Sequence, residues 1–161
     1  MCEVTLAAID RSCGPNIPGG KNLYVANSDD VASITSDTDT WVASVITMEA
    51  TKLFYKFSFD RNSLQHKEDE LESGAVNGSL EAFFGKDTAA KRAQFRKMAG
   101  NSDLAVIYED GNGMLKLIPN GVRLKRNYDT GKAGEDKNGY TATLVYEGEA
   151  AYTFTGTVPL S

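Results

Sequence analysis

The sequence predicts a mainly β protein, an antiparallel β-sandwich or barrel with one flanking α-helix. Seven or more short segments alternate apolar and polar residues with a period of two. Gly, Asn and Asp turn chemistry separates these segments. Only one stretch, beginning near Thr88, has the capping and apolar spacing of a helix, so strands do not alternate with helices as parallel α/β folds require. The 161 residues suit a single core. With 41% hydrophobic and 24% charged residues the composition is that of a globular chain, not a disordered one.

Residues 1–40 are rich in Gly, Pro, Ser, Asp and Thr. They read as an arm or loop region around one short strand at "NLYVAN", and residues 41–161 as the β domain. "WVASVITME" reads as a strand, and in "KLFYKFSF" the period of two puts Leu53, Tyr55, Phe57 and Phe59 on one face. The polar stretch after Phe59 is open to two readings, a short helix capped by Ser63 or a long solvated strand, and the strand is preferred. "VNGS" at 76–79 offers an Asn-Gly hairpin turn before the strand "SLEAFFG".

Asp87 or Thr88 caps the helix over about 88–99, with Ala89, Ala93, Phe95 and Met98 as its apolar stripe and Gly100 at its C-cap. Its bases Lys86, Lys91, Arg92, Arg96 and Lys97 read as a solvated face. A ladder of hairpins follows: "DLAVIYED", the turn "GNG", "MLKLI", the turn "PNG" and "VRLKRNYD", where Val122, Leu124 and Tyr128 face inward and Arg123, Lys125 and Asn127 outward. A polar connection, "TGKAGEDKNG", then leads to a last ribbon. There Tyr140, Ala142, Leu144 and Tyr146 share one face, opposite Thr141, Thr143, Val145 and Glu147.

Little in the chain points to chemistry, and no catalytic, cofactor or metal residues are assigned. His66 is the single histidine and lies in the charged "SLQHKEDE", with no Gly-x-Ser-x-Gly elbow for a nucleophile. Cys2 and Cys13 are too few for a zinc site and read as free thiols of a reducing cytoplasm. "GPNIPGGK" and "GKAGEDKNG" lack the ending of a phosphate loop, and "EDGNG" and "EDKNG" lack the alternating ligands of a calcium loop. All four read as turns or flexible connections. A net charge of −5 and a pI near 4.9 disfavour gripping a nucleic-acid backbone. No apolar run reaches the roughly 18 to 20 residues that span a bilayer, and the N-terminus lacks signal-peptide character. In "HKEDELE" the strand reading puts Glu68, Glu70 and Glu72 on one face, either as a charge-protected edge or as a lining past which something slides.

Three segments carry a family resemblance: "FRKMAGNSDLAVIYEDGNG", "PNGVRLKRNYDTGKAGEDKNGYTATLVYEGE" and "KLFYKFSFDRNSLQHKEDELESGA". From about residue 41 to 156 the chain resembles the tail tube proteins of tailed bacteriophages, especially those of Bacteroidetes phages and prophages. The resemblance implies two packed antiparallel sheets with a flanking helix, assembled as six-membered rings that stack into a hollow tube, each sheet continuing into its neighbour's. It implies a virion structural protein made in the bacterial host cytoplasm. Its partners are further copies of itself and other tail proteins, with DNA only in passage and no membrane. On this reading Glu68, Glu70 and Glu72 line the lumen while Tyr55, Phe57 and Phe59 anchor the same strand in the core. Contacts between copies fall in residues 14–24 and 128–139, with Ile17, Leu23, Tyr24, Tyr128, Lys132 and Lys137 as candidates.

The related head-tail connector and tail terminator proteins are alternatives within the same setting. A monomeric carbohydrate- or protein-binding β-sandwich is the alternative outside it, and predicts an aromatic platform, for which Trp41 is the sole tryptophan. A small barrel enzyme working through carboxylates is the third, and predicts a deep pocket holding an acid with a shifted pKa.

Overall fold

In the computed structural model, which describes residues 6–37, 39–99 and 103–160, ten strands join into one curled network, antiparallel at every strand pair but one, with a single α-helix. The strands are β1 (Gly20–Asn27), β2 (Val31–Asp37), β3 (Val42–Met48), β4 (Tyr55–Lys56), β5 (Gln65–Glu70) and β6 (Val76–Gly85), then, after the helix, β7 (Leu104–Asp110), β8 (Leu115–Asp129), β9 (Gly139–Gly148) and β10 (Tyr152–Phe154). The helix α1 spans Ala89–Met98. One layer runs β2-β3-β10-β8-β7-β1-β4, and a second, smaller layer runs β5-β6-β9-β8. The expected mainly β sandwich with one helix is what the chain forms.

Strand β8 belongs to both layers because it bends and does not turn back. Leu115–Ile118 pair with β7, and Arg123–Asp129 pair with β9. Between them Pro119, Asn120 and Gly121 bulge out, with Gly121 at φ 74 and its N–H donating to Asp103 Oδ1 at 2.9 Å. "PNG" is therefore a corner, not the expected hairpin turn: the extra residues sharpen the local twist and re-aim one strand from sheet to sheet. The expected "GNG" turn does form between β7 and β8. There Asp110 Oδ1 accepts from Asn112 N at 3.0 Å and Met114 N at 2.9 Å.

Strand β7 is buried on both faces, which explains its nearly unbroken apolar run "LAVIY". One face of β1 and β7 contributes Leu23, Val25, Leu104, Val106 and Tyr108 to a core shared with the smaller layer and with Phe95 and Met98 of α1. The opposite face contributes Ala26, Ala105 and Ile107 to a second core. Ile34 of β2 and Ile46 of β3 pack against that second core, so the far end of the larger sheet curls back over its own middle.

Several expected features are corrected. The arm does not extend to residue 40: β1 lies between β7 and β4, β2 occupies the expected loop "VASITSD", and among the described residues before β3 the long stretch without regular structure is 6–19. "VNGS" is not a hairpin turn. Asn77 and Gly78 lie inside β6, the reversal falls at Leu71–Ala75, and the Tyr146 ring of β9 covers Gly78 so closely that a Cβ there would overlap it. "KLFYKFSF" forms only the two-residue β4, with Phe54 fully buried, Tyr55 exposed, and Phe57 and Phe59 half-buried against the core. The long solvated strand is confined to β5, since residues 60–63 intervene as a turn in which Ser63 Oγ donates to Asp60 O at 2.5 Å. In α1 the cap is Thr88, whose Oγ1 accepts from Lys91 N at 3.2 Å. Phe95 and Met98 are buried while Ala89 and Ala93 are exposed, and Gly100 lies outside the described residues.

Candidate functional site

The smaller sheet is where the candidate residues gather, and its alternation decides which way each points. In β6 and β9 the core-facing residues include Leu80, Ala82, Phe84, Tyr140, Ala142, Leu144 and Tyr146, as the period of two predicts for β9. The register carries that face outward to both edge strands. On β5, His66, Glu68 and Glu70 stand beside Leu80, Gly78 and Val76; on β8, Leu124, Arg126 and Tyr128 stand beside Leu144, Ala142 and Tyr140. The other face of the sheet carries Lys67, Asp69, Glu81, Glu147, Arg123 and Lys125.

β5 is pinned to the body of the fold through His66. Its Nδ1 is bonded to the Tyr108 hydroxyl of the opposite layer, and its Nε2 lies 2.5 Å from the Tyr146 hydroxyl. Tyr146 Oη donates to Glu68 Oε1 at 2.9 Å, and the same carboxylate oxygen accepts from Ala151 N at 3.1 Å. The ionised carboxylate only accepts, so the Tyr146 proton points to Glu68, Nε2–H donates to Tyr146, and Nδ1 accepts from Tyr108. Burial pushes the His66 pKa down, Lys116 adds to that, and Glu68 opposes it. Burial likewise pushes both tyrosine hydroxyls up, with Glu68 adding to the rise. The network holds a neutral imidazole between two neutral phenols; it binds strands together and presents no exposed nucleophile.

A second cluster ties the helix to the far edge. Asp87 Oδ2 accepts from Arg92 Nη2 at 2.7 Å, and Asp87 Oδ1 accepts from Tyr140 Oη at 2.7 Å. These bonds, Arg92's first, hold the Asp87 carboxyl below its ordinary range. The Arg92 guanidinium lies 4.9 Å from the centre of the Tyr128 ring, which itself stacks 5.1 Å from Tyr140. Tyr128 thus lies on the expected core-side face beside Tyr140, but at the edge of the sheet it remains 42% exposed.

The sequence-assigned lining does not form one free row. Glu68 and Glu70 share a face, but it is the core side, where Glu68 is held by Tyr146 and Ala151; Glu72 lies beyond the strand in the turn to β6. Among the assigned contacts, Leu23 is buried to 1% in the core and Tyr24 is half-buried against the second core, so Leu23 offers no surface to another copy. Ile17 is exposed, and its N–H donates to Asn112 Oδ1 at 2.8 Å, fastening the end of the arm to the β7–β8 turn. Lys132 and Lys137 line an open groove of about 620 Å³ on the outer face of the sheet, together with Glu81, Phe83 and Asp136. Lys137 Nζ sits 5.1 Å from the centre of the Phe83 ring. Within the loop Asp136 Oδ2 accepts from Lys132 N and Ala133 N at 2.8 and 3.1 Å, the turn chemistry that its Gly, Asp and Asn content suggests.

Sequence reasoning offered a charge-protected edge for the stretch around Asp69, but missed Arg126 as an edge residue and missed the tether made by His66. Their local signal was a charged stretch like any other; only the pairing order shows that both strands lie at sheet edges. Among the described residues no three His, Cys, Asp or Glu side chains are grouped to hold a metal, and no helix is long and apolar enough to cross a membrane. Cys13 is free and exposed; Cys2 lies outside the described residues. Trp41 is 36% exposed and packs edge-on against Tyr152 at 4.7 Å. No protein-family model, curated protein or solved structure matches the chain.

Proposed function

We propose that the chain is a virion structural protein, a phage tail tube subunit that assembles with copies of itself into stacked rings around a conduit for DNA. The observation that carries this reading is the smaller sheet, where strand β5 and the Arg123–Asp129 half of β8 each pair on one side only among the described residues. A strand edge left with free N–H and C=O groups is a template for another chain. Two such edges on one four-stranded layer suit a subunit completed by neighbours on both sides. Strand β9, the "ribbon" of the C-terminal third, is not that edge, because β6 and β8 flank it within the chain.

The exposed N-terminal segment supports the same reading. Leu6 and Ile9 are 85% and 99% exposed, apolar side chains that an isolated subunit leaves in water. The bore lining moves from Glu68, Glu70 and Glu72 to the outer face of the smaller sheet, where Asp69, Glu81 and Glu147 stand. Lys67, Arg123 and Lys125 share that face with the three acids, so on this reading a polyanion meets a wall of mixed charge. Electron microscopy of the purified full-length chain across a concentration series tests the proposal. Rings or tubes with a central bore are expected, and a particle that stays monomeric throughout would overturn it.

A further inference from the structure

We infer that copies of this chain join head to tail, with the acidic edge β5 of one copy pairing antiparallel to the basic edge β8 of the next. The inference rests on the ring reading above and deepens it by specifying which edges meet and what selects them. The edges differ in charge: β5 carries Glu68, Asp69 and Glu70 against the single Lys67, and the outer half of β8 carries Arg123, Lys125 and Arg126 before Asp129. Both stretches are exposed apart from half-buried His66 and Leu124.

Strand direction permits this joint. Three antiparallel steps separate β5 from β8 within the layer, so the two edges run in opposite directions. A copy shifted sideways therefore offers its β8 antiparallel to the first copy's β5, and the sheet continues without a change of pattern. The faces also agree. Arg126 lies on the core-side face with Glu68 and Glu70, and Arg123 and Lys125 lie on the outer face with Asp69.

Charge disfavours the simpler alternative. A two-fold pair of β5 strands centred on Asp69 would set the three acids opposite one another, and a two-fold pair of β8 strands centred between Leu124 and Lys125 would set Arg123 opposite Arg126. Like charges directly across a strand pair are destabilising. Unlike edges make a heterologous contact, which closes into a ring or extends as a filament and does not stop at a dimer.

The test uses the full chain in three forms, studied by analytical ultracentrifugation and electron microscopy, with circular dichroism to establish folding. One variant, K125E with R126E, has two acidic edges; the other, D69K with E70K, has two basic edges. Glu68 is left intact because it holds Tyr146. Each variant alone is expected to stay monomeric where the wild type forms rings. An equimolar mixture should regain rings, with the two forms alternating, and raising NaCl from low salt to 1 M should weaken association about tenfold or more as screening shortens to about 3 Å. Wild-type rings unaffected by either swap would overturn the edge pairing while leaving the ring reading in place. Loss of rings in both variants without recovery in the mixture would also overturn it. A wild type and a mixture that both remain monomeric would overturn both ideas.

Discussion

His66 joins an edge strand to the opposite layer through bonds to Tyr108 and Tyr146, and its proton balance makes that joint sensitive to pH. The groups facing it are Tyr108 from β7, Tyr146 from β9, Glu68 on its own strand and Lys116 from β8. Its pKa is lowered in the folded chain, so the unfolded chain binds the proton more readily and folding is favoured while the ring is neutral. This stability is fully present above the unfolded histidine value of about 6.5 and is lost as pH falls from there through the folded pKa. Urea midpoints measured between pH 7.5 and 5 should therefore fall with pH, and H66Q should flatten that slope. An unchanged slope in H66Q would assign the pH dependence elsewhere.

At the scale of the element, α1 is a short helix that leans on its cap. Of its ten residues only Phe95 and Met98 are buried, so packing supplies less than the expected four-residue stripe would. Thr88 satisfies the N–H of Lys91, and the Lys91 ammonium in turn bonds the carbonyls of Gly85 and Lys86. T88A should cost about 1 kcal/mol, read from urea unfolding, and T88S should recover most of it. The helix was legible because its cap and its two large apolar residues are local signals. β8 was not, because "PNG" suits a hairpin turn and a bulged corner equally. What decides is whether the following strand finds its partner behind or ahead, and Val122 pairs with Leu104 while Arg123 pairs with Val145.

At the scale of the molecule, the arm and the sheet are separable. Residues 6–15 are exposed, whereas Asn16 and Ile17 bond Asn112 and the Gly19 carbonyl accepts from Gly111 N at 2.8 Å. Deleting residues 1–13 should leave the melting temperature and circular dichroism unchanged while reducing the stacking of rings seen by electron microscopy. Deleting residues 1–20 should lower the melting temperature as well, since it removes those bonds and the start of β1. Full stacking after the shorter deletion would take the arm out of the assembly.

The sequence by itself determined the class of the fold, the helix and a cap at Asp87 or Thr88, the β7–β8 turn and the buried face of β9, because each depends on residues close together in the chain. Alternation selects a face and a cap satisfies a nearby N–H whatever lies across the molecule. Only the tertiary structure decided that Leu23 is core, that Glu68 serves Tyr146, that "VNGS" runs straight through a strand, that β5 is the edge and not a free lining, and that β8 is an edge along Arg123–Asp129. Those outcomes depend on which strand becomes whose neighbour. Pairing order is set by burial of the whole apolar set at once, and no single stretch of the chain contains that information.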